Sequence, residues 1–163
     1  MSHGDSKRLE ECEYLNDNII DFRIKHYMLE VLSSPLQIYA FSCQFYSRLI
    51  QGKDHAEGYR LVSSWTKSFD LFSKHFVYVP VNLNAHWSLS IIVRPDLITC
   101  KVRLVLCVYS SSGNFEQERQ LTDANRSCLI FMDSLGLHRP STIYKRLLRF
   151  VPSLYGYIAY ALG

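Results

Sequence analysis

An α+β fold, with helices first and a mixed or antiparallel sheet after them, is what the sequence predicts. Three observations carry this: apolar residues recur at helical spacing before Phe69, β-rich runs take over from Phe76, and one amphipathic segment follows the last of those runs. Leu15-Asn16-Asp17-Asn18 offers helix-capping side chains, and Ile20, Ile24, Tyr27, Met28 and Val31 then mark a helix that Pro35 closes. Ser42 is placed to cap a short second helix carrying Phe45 and Leu49, and Gly52 and Gly58 bracket a loop. Tyr59, Val62, Trp65 and Phe69 form a third apolar stripe.

The strands come next. Phe76 to Val81 is rich in β-branched and aromatic residues, and Trp87 to Val93 is apolar nearly throughout. Lys101 to Tyr109 sets Val102, Leu104, Leu106 and Val108 on one face and ends in the turn-forming run Ser110 to Asn114. Polar residues from Glu116 to Ser127 read as an exposed loop. Cys128 to Met132 is a buried strand that stops at Asp133-Ser134-Leu135-Gly136. Pro140 and Ser141 open a final helix with Ile143, Leu147 and Phe150 inward and Lys145, Arg146 and Arg149 outward, ended by Pro152.

Composition narrows the function classes. The 163 residues leave room for one ordinary domain, and 48% apolar content supplies a core. A formal charge of +3 with no block of basic residues argues against a nucleic-acid partner. The five cysteines, Cys12, Cys43, Cys100, Cys107 and Cys128, are an odd count without a C-x-x-C pair, and read as reduced intracellular thiols with no metal site. The polar opening has no apolar h-region, and no apolar run approaches the ~18 residues of a membrane span. The expectation is a monomer of the nucleus or cytoplasm, with no membrane association and no cofactor.

Two polar residues stand where a buried strand meets a turn, His86 and Asp133. An aspartate that accepts the Nδ1 proton of a histidine fixes its tautomer and stabilises the imidazolium, leaving Nε2 as a general base. A cysteine suits such a pair best as nucleophile, because a histidine partner turns a thiol into the reactive thiolate. A core histidine with satisfied nitrogens is the competing account, and spacing alone does not separate the two.

Resemblance does. Tyr14 to Phe22, Trp65-Thr66-Lys67 with Asp70-Leu71-Phe72, Val79-Pro80-Val81 with His86-Trp87-Ser88-Leu89, and Met132 to Gly136 resemble, in order, segments of the Ulp/sentrin-specific protease family, over roughly Cys12 to Phe150. The resemblance implies a papain-like cysteine protease fold of the Ulp type. It also implies cleavage after the Gly-Gly end of a ubiquitin-like modifier, usually SUMO, from SUMO-conjugated proteins, with a Nedd8-directed relative as a variant. His86 matches the family's catalytic histidine and Asp133 its orienting acid. Trp87 matches the aromatic lid over the Gly-Gly tunnel, where only glycine lets a backbone pass so close. Tyr14 stands where many members have a second tunnel tryptophan, and Asp17 matches a residue that engages the modifier, a helix cap being an equally good account.

The stretch from Arg94 to Arg126 is longer than the connection in compact members and resembles insertions of the Ulp2-like branch, which the family associates with trimming SUMO chains in the nucleus. The family's downstream glutamine and Asp-Cys-Gly box find no match, so the chain is expected to be the front portion of a protease domain without its nucleophile. The expected organisation is a polar lead over 1–11, the protease portion over 12–154 with an insertion at 94–127, and an apolar tail over 155–163. That tail is either foreign or a substitute cover for the sheet. A non-catalytic module that binds a ubiquitin-like tail through Trp87 and Tyr14 is the alternative from a different class.

Overall fold

The computed structural model of the chain describes residues 3–30, 37–98, 103–108 and 127–162, with backbone alone for 3, 29–30, 103–108 and 152–162. Helices α1 (His3–Lys7) and α2 (Asp17–Glu30) precede a short strand β1 (Ile38–Ala40), helices α3 (Gln44–Ile50) and α4 (His55–Val62), and strands β2 (Phe76–Leu83) and β3 (His86–Val93). Strands β4 (Arg103–Val108) and β5 (Cys128–Asp133) and helix α5 (Pro140–Leu162) follow. The sheet is mixed, in the order β1-β2-β3-β5-β4, with its two inner pairings antiparallel and its two outer pairings parallel. This is the α+β arrangement expected.

Alternation builds one buried face of the sheet. Val77, Val79 and Val81 of β2, Ser88, Ser90 and Ile92 of β3, and Leu129, Phe131 and Asp133 of β5 all point into it. Phe41, Phe45 and Leu49 from the α3 region and Ile143, Leu147, Phe150 and Val151 of α5 close over it. Phe41 stacks on Phe45 at 3.7 Å between ring centroids, and Phe150 meets Phe45 edge-on at 5.0 Å. Pro80 sits inside β2 without breaking the ladder. The Tyr78 carbonyl accepts from the Phe41 amide just past the end of β1, so Pro80, two residues on, turns its nitrogen toward a stretch of edge that no strand among the described residues occupies.

Asn16 caps α2 as expected of its stretch, its Oδ1 accepting from the Ile19 amide at 3.1 Å. Several other sequence expectations need correction. Ser42 makes no side-chain cap for α3, where Cys43 is the capping residue. Gly58 does not bound a loop but lies within α4. A Cβ there would stand 2.5 Å from the Leu49 carbonyl oxygen, and one on Gly52 would stand 2.2 Å from the Gly58 nitrogen, so both glycines let α3 and α4 approach. The stripe from Tyr59 to Phe69 is split, with Tyr59 and Val62 in α4, Trp65 in a 3₁₀ turn, Ser63–Thr66, and Phe69 in the bend that follows. Strand β1 was not expected, being three residues long.

Helix α5 does not end at Pro152 but runs through it to Leu162. A proline removes one hydrogen bond, while helix propagates on both sides of it and the preceding turn is anchored by buried Phe150 and Val151. Arg146 is half-buried rather than outward, near enough to the buried Tyr46 to temper the upward shift that burial gives its phenol. The polar lead contains α1, whose Asp5 is buried and accepts from Asn16 and Asn18 at 2.9 and 3.0 Å. Pro35, the faces of β4, the turn Ser110 to Asn114 and the polar run up to Arg126 lie outside the described residues. Among the described residues no helix is long and apolar enough to cross a membrane.

Candidate active site

His86 opens β3 directly after a two-residue hairpin turn. Leu83 pairs with His86, and the intervening Asn84 and Ala85 have φ of 54° and 58°, the geometry of a type I′ turn that suits the twist of the flanking strands. On the other side β3 pairs with β5 as far as Leu89 opposite Met132. One step further sets Asp133 across from Ser88, on the same face as His86.

The two side chains meet there. His86 Nε2 lies 2.6 Å from Asp133 Oδ1, and both are largely withdrawn from solvent, 12% and 2% of the side-chain surface remaining exposed. The acid is gripped from its own loop. Oδ1 accepts the Leu135 and Gly136 amides at 3.1 and 3.0 Å, and Oδ2 accepts the His138 amide at 2.9 Å. Gly136 adopts φ of 64°, a conformation that glycine takes without a Cβ penalty, and this curls the loop back over the carboxylate. Burial by itself would push the Asp133 carboxyl up, but the His138 amide, the His86 ring and the Leu135 amide outweigh it and hold the group down at about 2. Asp133 is therefore an anion at neutral pH, and His86 Nε2 is the donor of their hydrogen bond.

The engaged nitrogen is the opposite of the one expected. Asp133 takes Nε2, leaving Nδ1 uncommitted to the acid. The reason is register: Asp133 faces Ser88, two residues along the strand, so the ring must lean along β3 and only its far nitrogen reaches the carboxylate.

Sequence reasoning missed His138 and Ser88. His138 is buried, its Nδ1 lies 2.7 Å from the Ser88 hydroxyl and its Nε2 2.9 Å from the Leu83 carbonyl. Its ring stands at 64° to that of His86 with centroids 4.8 Å apart. The available signal was a second histidine five positions after the acid. His86, Asp133 and His138 bring their polar atoms within 4.8 Å of one another, but both His138 nitrogens and His86 Nε2 are already engaged in hydrogen bonds.

Trp87 points to the opposite face of β3. Its indole N–H donates to the Leu15 carbonyl at 3.0 Å, which pins the ring to the segment leading into α2. Beside it is an apolar cleft of about 410 Å³ lined by Ile20 and Ile24 of α2, Pro80, Leu89, Met132 and Ser134, and reaching Asp133. Tyr14, next to the pinning Leu15, is 73% exposed and projects into solvent. Asp17 accepts a hydrogen bond from Gln44 of α3, so its carboxylate is held toward that helix and is not the cap of α2. The structure thus joins His86 to Asp133, sets Trp87 on the neighbouring rim, and leaves Tyr14 and Asp17 outside the hydrogen-bonded group.

Among the described residues no cysteine sulfur belongs to that group. Cys43 is buried beside α2, where desolvation and then Asp21 push its thiol up, away from a thiolate. Cys128 pairs with Val93, at the far end of β3 from His86. Cys12 is exposed in the segment before α2. Cys100 lies outside the described residues, and the side chain of Cys107 does too.

Comparison with known proteins agrees with this architecture. Residues 13–160 match the Ulp1 protease family, C-terminal catalytic domain. The ubiquitin-like-specific protease 2 of Schizosaccharomyces pombe is 31% identical over 160 residues, 90% of this chain and 25% of that protein. Mouse sentrin-specific protease 6 is 37% identical over 113 residues, 60% of this chain and 10% of that protein. The chain spans about a quarter or less of the length of these relatives. A crystal structure of a de-sumoylating protease superposes with a TM-score of 0.54 and 29% identity, over 65% of this chain and 42% of that one. The SUMO protease Ulp1 with its catalytic cysteine oxidised to a sulfinic acid gives 0.50 and 27%, over 70% and 48%. With its mixed sheet, its helical flanks and a match that runs nearly end to end, the chain belongs to the Ulp1 family of cysteine proteases.

Proposed function

We propose that the chain supplies the base and the orienting acid of a cysteine-type peptidase and isopeptidase that cleaves after the Gly-Gly end of a ubiquitin-like modifier, SUMO in the first place. The observation that carries this is the 2.6 Å bond between His86 Nε2 and an ionised Asp133. It presents His86 Nδ1 as the proton acceptor for a thiol and stabilises the imidazolium that results. The Asp133 carboxylate does not need to take the proton itself, because its role is to hold the tautomer and offset the developing charge. The likeness to ubiquitin-like-specific protease 2 supports the Ulp2-like branch.

Trp87 is the substrate-facing aromatic in this reading. A pinned indole beside an apolar cleft makes a flat wall, and a Gly-Gly backbone, lacking Cβ atoms, packs against such a wall at close range. Tyr14, exposed beside the Leu15 that pins Trp87, is the second aromatic offered to the tail in this reading, and Asp17 engages the modifier. The attacking thiol in this reading is none of Cys12, Cys43 and Cys128, and the sulfur is taken to come from a segment that carries an Asp-Cys-Gly box.

The test uses a fluorogenic substrate made of SUMO with a reporter on its C-terminus. The chain alone leaves it uncut, and cleavage appears when a relative's Asp-Cys-Gly segment is added or fused. In that assembly His86→Ala lowers kcat/KM by at least about 10³-fold. Cleavage by the chain alone that His86→Ala abolishes would place a nucleophile inside it. Cleavage indifferent to His86→Ala would remove the assigned base.

A binding module is the second reading, favoured by the pinned Trp87 and its cleft. Titration with labelled SUMO decides it: saturable binding lost in Trp87→Ala without any turnover supports the module, and no affinity at high micromolar concentration removes it.

A further inference from the structure

We propose that His138 is a positioning residue, a brace that holds the base and the acid in working register. The proposal rests on the reading of His86 as general base and goes beyond it by assigning a task to a second imidazole.

The case is built from hydrogen bonds on three sides. A carbonyl oxygen only accepts, so the Leu83 carbonyl requires the proton of His138 to be on Nε2. In the neutral ring Nδ1 is then an acceptor, and the Ser88 hydroxyl donates to it at 2.7 Å. The two residues so engaged flank His86: Leu83 is its cross-strand partner and Ser88 lies two positions along the same face. The main-chain amide of His138 meanwhile donates to Asp133 Oδ2, the carboxylate oxygen opposite the one that His86 meets. One residue therefore ties the hairpin, the strand of the base and the carboxylate of the acid, and its ring packs edge-on against the ring it positions.

An apolar side chain of similar size would fill the space and still fail. It would leave the Leu83 carbonyl and the buried Ser88 hydroxyl without their partner, and such groups relax by moving. The hairpin end would shift relative to β5, and the His86 bond to Asp133 would lengthen. The effect predicted is on the geometry of His86, separable from any general loss of stability.

Imidazole-labelled NMR of the chain tests it. In the unaltered chain the Nε2 proton of His86, shared with a carboxylate at 2.6 Å, gives a far-downfield, slowly exchanging resonance that is assigned by its loss in His86→Ala. His138→Ala should move that resonance upfield and raise its exchange with water about tenfold. Ser88→Ala should do so in part, and His138→Gln, which retains a donor toward Leu83, should restore much of the original signal. Ile143→Val, an equally buried change on α5, should leave the resonance in place. An unaltered signal in folded His138→Ala, or an equal change in Ile143→Val, overturns the brace. If circular dichroism shows that His138→Ala is unfolded, Ser88→Ala decides, and no change there overturns the brace as well. A downfield proton that is present but indifferent to these variants sinks the brace alone. Its absence from the unaltered chain sinks the brace and the His86–Asp133 pair together.

Discussion

Asp133 shows how a single residue converts local hydrogen bonding into a pH response. Its folded-state value of about 2 lies below the ordinary 3.8, so the carboxylate contributes stability that is fully present above the unfolded value and lost as pH falls through the folded one. The window runs from roughly pH 5 down to pH 2, and the contribution at stake is on the order of 2 kcal/mol. Urea unfolding measured across that range should show this loss, and Asp133→Asn should flatten the same part of the curve. A curve of identical slope in both chains would mean that the grip of the 135–138 amides on Asp133 carries no net stability.

The hairpin joining β2 to β3 is the element that delivers His86, and it does so with an unfavourable residue. Both turn positions have positive φ, which asparagine tolerates and alanine does not. Ala85→Gly converts the turn to Asn-Gly, the pair best suited to type I′ geometry. Relief of the left-handed strain exceeds the added freedom of the unfolded chain, and the variant should gain about 0.5–1 kcal/mol in chemical denaturation. A loss instead would show that the Ala85 methyl makes a compensating contact. The same element hides the hairpin in the sequence, because the usual glycine is missing from its turn.

At the scale of the molecule, one aromatic cluster couples the helices to the sheet. Phe150 of α5 meets Phe41 at 6.1 Å, Phe45 at 5.0 Å and Tyr59 at 6.2 Å between centroids, so it joins α3, α4 and α5 over the buried sheet face. Phe150→Ala should cost about 3–5 kcal/mol, the range for deleting a large buried ring. Against a typical total of ~5–15 kcal/mol this is a large share, and thermal unfolding should move down as one transition. An early, separate loss of α5 signal with the sheet intact would show that the helix packs as an independent unit.

Pattern and local chemistry made much of this legible. The runs Phe76 to Val81, Trp87 to Val93 and Cys128 to Met132 announced β2, β3 and β5 through β-branched content, and the helical stripe from Ile20 announced α2. Three-residue β1 carries too little periodicity to register, and Gly58 reads as a loop marker because its close approach to Leu49 involves a different helix. His86 and Asp133 were visible as polar residues at strand ends, whereas His138 was not, since its partners Leu83 and Ser88 are more than 45 positions away. What the sequence determined by itself is which segments become strands and helices, because that depends on side chains and near neighbours, while it marked His86 and Asp133 only as polar residues at strand ends. What only the tertiary structure decided is that β5 lies beside β3, that Nε2 rather than Nδ1 meets the carboxylate, and that a second histidine packs against the pair. Strand pairing across long stretches of chain sets these distances, and no local pattern encodes which strand becomes the neighbour of which.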